Sequence, residues 1–168
     1  MNTIAAEFIA QSIHRIELNT PRITKCLNEL SEEEVWYRPN GSSNSIANLI
    51  LHLCGNITQY IISSIGDEPD NRERDKEFAA VGGFSKAELL SKLENTISTA
   101  VEVIRNCTEE SLLRVRSVQG FTYTGIGNII HVTEHYSYHT GQIALLTKIM
   151  KNKDLGFYAG LNLNTKNQ

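Results

Sequence analysis

The chain has 168 residues, 40% of them hydrophobic and 21% charged, which suits one domain (1–168) with a full core and is short for two. A formal net charge of −3 leaves no basic footprint for nucleic acid and no polybasic run for a membrane surface. Three widely spaced cysteines, Cys26, Cys54 and Cys107, form no disulfide framework and read as reduced thiols. With a start (Met1 to Glu7) that lacks a basic n-region, they point to a cytoplasmic protein.

In chain order, an amphipathic stretch from about Ile4 to Leu30 carries Phe8, Ile9, Ile13, Ile16, Ile23, Leu27 and Leu30 at helical spacing. Pro21 interrupts it, either as the first residue of a new segment capped by Thr20 or as a kink. Ser31 to Glu34 is a capping box for one further turn, and Arg38-Pro-Asn-Gly41 ends the region. A second helix is expected from about Ser45 to Ile65. A polar, charged connection follows from Asp67 to Gly83. Ser85 to Glu88 opens a third helix that reaches about Arg105. Thr108 to Thr124 alternates apolar and polar residues, as a short hairpin or an irregular crossover would. The last long helix should run from about Gly125 to Lys151, and a tail with Leu155, Phe157, Tyr158 and Leu161 should fold back on the body. Four long helices with two long connections describe an all-α four-helix bundle, which builds metal sites from facing helices.

Charge is distributed unevenly. No Asp, Glu, Lys or Arg occurs from Pro39 to Gly66, and only Glu134 from Ser117 to Thr147. A solvated helix normally has a charged outer face. The second and fourth helices are therefore expected to be the inner pair or one side of an oligomer interface. On the second, Ile46, Leu49, Ile50, Leu53, Ile57 and Ile61 make the apolar stripe, with His52 in a neutral polar stripe beside Asn48, Asn56 and Gln59. On the fourth, Ile129, Val132, Tyr136, Ile143 and Met150 make the core stripe, with His135 and His139 at its edge and Asn128 and Gln142 on the same side. Cys54 reads as packing, and Trp36 and Tyr37 as core or interface aromatics.

Histidines at i and i+4 share a helix face and can share an ion. His131 and His139 are about 12 Å apart along the axis, so one ion takes His131 with His135 or His135 with His139, and spacing does not choose. The first pair matches the inverted zinc-protease pattern H-x-x-E-H through Glu134, a short pattern that arises by chance and lacks the mixed α/β framework of that class. Hydrolysis with Glu134 as base is the reading it offers. Arg72 and Arg74 read as ordinary loop charges that could also meet an anionic substrate.

Leu49-Ile-Leu-His52-Leu-Cys-Gly-Asn56, followed by Glu134-His135-Tyr-Ser-Tyr-His139-Thr-Gly-Gln142, resembles the DinB-like (YfiT-like) metal-binding family. The resemblance extends to Trp36-Tyr-Arg38-Pro-Asn40 and to Arg72-Glu-Arg74-Asp-Lys-Glu-Phe78, so it covers most of the chain in order. It implies a four-helix bundle, commonly a homodimer, with one divalent metal ion (zinc, nickel or iron) on His52, His135 and His139. His131, extra to the pattern, then falls beside the site with Glu134, Asn56 and Gln142. The resemblance further implies a metal-dependent transferase acting with a low-molecular-weight thiol, and it leaves open the alternative of a non-catalytic, structural or stress-related metal-binding dimer.

Overall fold

A computed structural model describes residues 2–167. Asn2 caps α1 (Thr3–Glu17) through its side chain, and α2 (Thr20–Glu29) follows at a new angle because Pro21 sits in its first turn. The Ser31 capping box opens the single-turn helix α3 (Glu32–Trp36). Ser45 and Asn48 form a reciprocal cap for α4 (Ile46–Ile57), which runs on into a widened π-helical turn over Thr58–Ser63. In place of an irregular connection, a short helix α5 (Arg74–Ala79) lies between Asp67 and Gly83. The Ser85 capping box then starts α6 (Lys86–Arg105). A one-turn helix α7 (Glu109–Leu113) leads into an antiparallel hairpin, β1 (Val115–Val118) and β2 (Phe121–Thr124), so the stretch from Thr108 resolves into a helix and a hairpin. Thr124 caps α8 (Gly125–Lys151), which a left-handed Asn152 terminates.

The four long helices α1, α4, α6 and α8 form a bundle in which α1 and α4 each pack against both α6 and α8. Between them lies one core that includes Ile16, Ile23, Ile50, Leu53, Ile57, Leu89, Leu93, Ile129, Val132 and Ile143. Each such aliphatic side chain contributes about 1.5–3 kcal/mol by leaving water. Tyr136 ties α8 to the start of α2 by a 2.9 Å hydrogen bond with Thr20 Oγ1. Of the tail, Leu155 is buried and Phe157 packs on the core, while Leu161 is exposed.

The two charge-poor helices differ. Helix α4 is buried on every side, only Gly55 being less than fully covered. Helix α8 buries its core stripe but exposes Ile130, Tyr138, Leu145 and Ile149. No helix among the described residues is long and apolar enough to cross a membrane.

Candidate metal centre

Three imidazoles meet between α4 and α8. His52 Nε2 lies 2.9 Å from His135 Nε2, and one ligand nitrogen from each of His52, His135 and His139 falls within 4.8 Å of the others. The rings pack edge to face, with centroids 4.4 Å apart for His135 and His139 and 5.1 Å for His52 and His139. His52 and His139 are buried and His135 half-buried.

The far side of His52 is fixed. Its Nδ1 is 3.0 Å from Glu77 Oε2. A carboxylate only accepts, so Nδ1 carries the proton and Nε2 presents its lone pair to the other histidines. Arg72 Nη2 also lies 3.1 Å from Nδ1, but two donors cannot bond. That approach follows from Arg72 gripping Glu77 in a fork, Nε to Oε1 at 2.8 Å and Nη2 to Oε2 at 2.9 Å. Arg72 Nη1 donates to Gln59 Oε1, and only 3% of the Arg72 side chain is exposed. Burial pushes the Glu77 carboxyl up, but hydrogen bonds from Arg72 and His52 outweigh it and hold the group below the ordinary carboxylate range.

Local sequence explains how Glu77 gets there. A Cβ on Gly55 would collide with Glu77 Oε1, so only glycine one turn after His52 admits the carboxylate against α4. Helix α5 is held by its last carbonyls: Asn48 Nδ2 donates to Glu77 O and Ala80 O, and Arg38 to Phe78 O and Ala80 O. Phe78 then packs on the His52 ring at 4.7 Å.

On α8, His139 Nδ1 donates to Gln142 Oε1 at 2.6 Å, which again leaves Nε2 free to bind. Burial, reinforced by His139 and His52, pushes the pKa of His135 down to about 3, and burial lowers that of His139 to about 4. Both rings are thus neutral at pH 7, the form that ligates. Three converging imidazoles, two with their tautomer set by an acceptor, could hold a metal ion.

The remaining sequence candidates separate. His131 stacks on Tyr60 at 4.1 Å and on His135 at 5.2 Å, and its Nε2 accepts from Asn56 Nδ2 at 3.2 Å. It stands beside the cluster rather than in it, which removes the H-x-x-E-H pairing. Glu134 is exposed and its side chain makes no hydrogen bond among the described residues, because one residue step along a helix turns it about 100° from His135. Arg72 is neither a loop charge nor a free cation but the clamp on Glu77. Cys54 is buried, with its thiol pushed up to about 11, as packing requires. The sequence reading assigned no role to Glu77, Phe78, Tyr60 or the hairpin tip. Glu77 lies in an unbroken run of six charged residues, Arg72 to Glu77, where nothing marks one carboxylate as buried.

Beside the histidines opens a cleft of about 360 Å³ lined by Asn56, Tyr60, Arg74, Gln119, Phe121 and His131 together with His52 and His135. The hairpin turn reaches it because Gln119 and Gly120 both adopt positive φ, 51° and 81°, the tight turn that matches strand twist. Tyr60 Oη donates to Gln119 Oε1 at 3.0 Å.

Among solved structures, a DinB-like protein from Bacillus subtilis is 19% identical, with a TM-score of 0.67 over 88% of this chain and 96% of its own. A conserved protein from Enterococcus faecalis is 16% identical, with a TM-score of 0.71 over 86% and 97%. A DinB-like protein from Bacillus cereus is 17% identical, with a TM-score of 0.64 over 80% and 87%. No curated protein matches. At these identities the likeness establishes the fold. The profile of the family described as a protein of unknown function (DUF1572) spans residues 3–159, the whole bundle, and the chain belongs to this DinB-like family.

Proposed function

We propose that this chain binds one divalent ion, zinc, nickel or iron, through His52, His135 and His139, and uses it as a transferase acting with a low-molecular-weight thiol. The observation that carries the reading is the convergence of three imidazoles, two of which, His52 and His139, have their outer nitrogens engaged by Glu77 and Gln142. Ligands held from behind in this way are set for a metal rather than for water. What a divalent ion supplies, when bound there, is Lewis acidity that favours the thiolate form of a thiol. The chain contributes the neutral ligand set and a cleft beside it in which a thiol and an electrophile can meet.

Elemental analysis of untagged protein, beside a His52→Ala, His135→Ala, His139→Ala variant, tests the site. About one equivalent in the wild type alone supports it, and none in either, even after reconstitution, overturns it. Metal-dependent arylation of 3-mercaptopropionate by 1-chloro-2,4-dinitrobenzene tests the chemistry: a carbon–sulfur bond forms, chloride leaves and the thiol proton passes to solvent.

A non-catalytic metal-bearing homodimer is the second reading. The uncharged, exposed residues Ile130, Tyr138, Leu145 and Ile149 on α8 favour association with a second copy. Sedimentation velocity on wild type and Leu145→Glu decides it. A dimer that the substitution splits supports association, and a wild-type monomer at tens of micromolar overturns it.

A further inference from the structure

We infer that the cleft beside the histidines is a binding site for the carboxylate of a small ligand, with Arg74 as its anchor and Asn56 as a second polar contact. The inference rests on the three-histidine reading in that the ligand's other end reaches the metal. Arg74 is exposed on the cleft wall and forms no ion pair among the described residues, unlike Arg72, whose donors are committed to Glu77 and Gln59. It is not free to wander. Its guanidinium lies 4.8 Å from the Phe78 ring, which itself packs 4.7 Å from His52, so the cation stands two ring contacts from a ligand histidine. Asn56, one turn after His52, is 97% covered, and its Oδ1 has no hydrogen-bond partner although its Nδ2 is taken by His131. A buried amide with one end unsatisfied is destabilising, an arrangement that a ligand N–H or O–H relieves. Phe121 and Tyr60 supply apolar walls, and Gln119 stands at the hairpin tip.

The geometry therefore fits a compact carboxylate only a few bonds longer than its metal-binding head, carrying one hydrogen-bond donor. A matched pair of probes tests the carboxylate: 3-mercaptopropionate and 3-mercapto-1-propanol, titrated calorimetrically into zinc-loaded protein. The acid should bind about tenfold more tightly, the yield of one charge-assisted pair. In Arg74→Gln, at unchanged zinc content, the ratio should fall below about twofold. Equal affinities in the wild type overturn the inference, as does a preference that survives Arg74→Gln, since chelation by zinc alone would then explain it. Zinc content is measured first. A chain that takes up no zinc overturns the three-histidine reading separately, and the cleft is then decided by acetate titrated into the metal-free protein. A shift of the Arg74 Nε–H resonance in nuclear magnetic resonance spectra supports it, and an unmoved resonance overturns it.

Discussion

His52 and His139 look at the same point from opposite helices, and each has its Nδ1 proton held by an acceptor, but the two holds are built differently. Behind His139 stands Gln142, three residues along the same helix and half-buried, a neutral partner that α8 provides by its own geometry. Behind His52 stands a charge brought from another element: Glu77, gripped by Arg72, admitted by Gly55 and positioned by Asn48 and Arg38. The local hold needs only helical periodicity. The remote one commits five residues, a buried ion pair among them, and it places a negative charge behind the His52 imidazole where α8 offers His139 only a neutral amide. The asymmetry predicts that the remote hold is the stronger determinant of both affinity and stability.

Removing the carboxylate should have the largest effect. Glu77→Ala leaves the Arg72 guanidinium buried and unpaired, and breaking a buried pair from one side costs about 3–5 kcal/mol. Urea unfolding should show that loss, and zinc titration should show an affinity about 10–100-fold lower. Next, Gly55→Ala should weaken zinc binding about tenfold by displacing the carboxylate. Alanine in a helix interior is ordinarily stabilising by about 0.5–1 kcal/mol, so a gain in urea stability with unchanged affinity would refute the role given to this glycine.

The third prediction concerns pH. His135 and His139 have folded pKa values of about 3 and about 4, below the ordinary histidine value, so the unfolded chain takes up protons there first. Metal-free protein should therefore lose stability as pH falls from about 6.5 towards 4, by up to one proton per group, with Glu77 adding to the loss only lower, as pH falls through its depressed pKa. A metal-free unfolding midpoint flat over that window would contradict the neutral-ligand assignment. The smallest effect is expected from Gln142→Ala. Loss of the local hold should change zinc affinity only a few-fold and stability by about 1 kcal/mol or less, read by the same titration and urea melt.

The same contrast explains what the sequence makes legible. The limits of α8, Gly125 to Lys151, follow from Thr124 as a cap and from the apolar stripe, and both are intrinsic to the segment. The capping boxes at Ser31 and Ser85 are read just as directly. Helix α5 is not. Its six residues have no apolar periodicity, and it exists because Asn48 and Arg38 occupy its terminal carbonyls from outside. The choice between the two i, i+4 histidine pairs is hidden for a related reason, since both are equal on the helix and only the docking of α4 against α8 puts His52 opposite His135 and His139. The bare faces of α4 and α8 look alike as strings, yet one is interior and the other partly open, a distinction that packing creates.

The clasp of Glu77 over α4 joins the cluster to the seating of α5. Any ligand that requires His52 with its Nδ1 protonated gains when Glu77 is docked, and thermodynamic reciprocity makes it tighten that docking by the same factor. Occupancy at the histidines is thereby written into the protection of a surface segment on the other side of the helix. Amide exchange over Arg74 to Ala80 becomes a gauge of what the cluster holds, readable without any knowledge of the reaction.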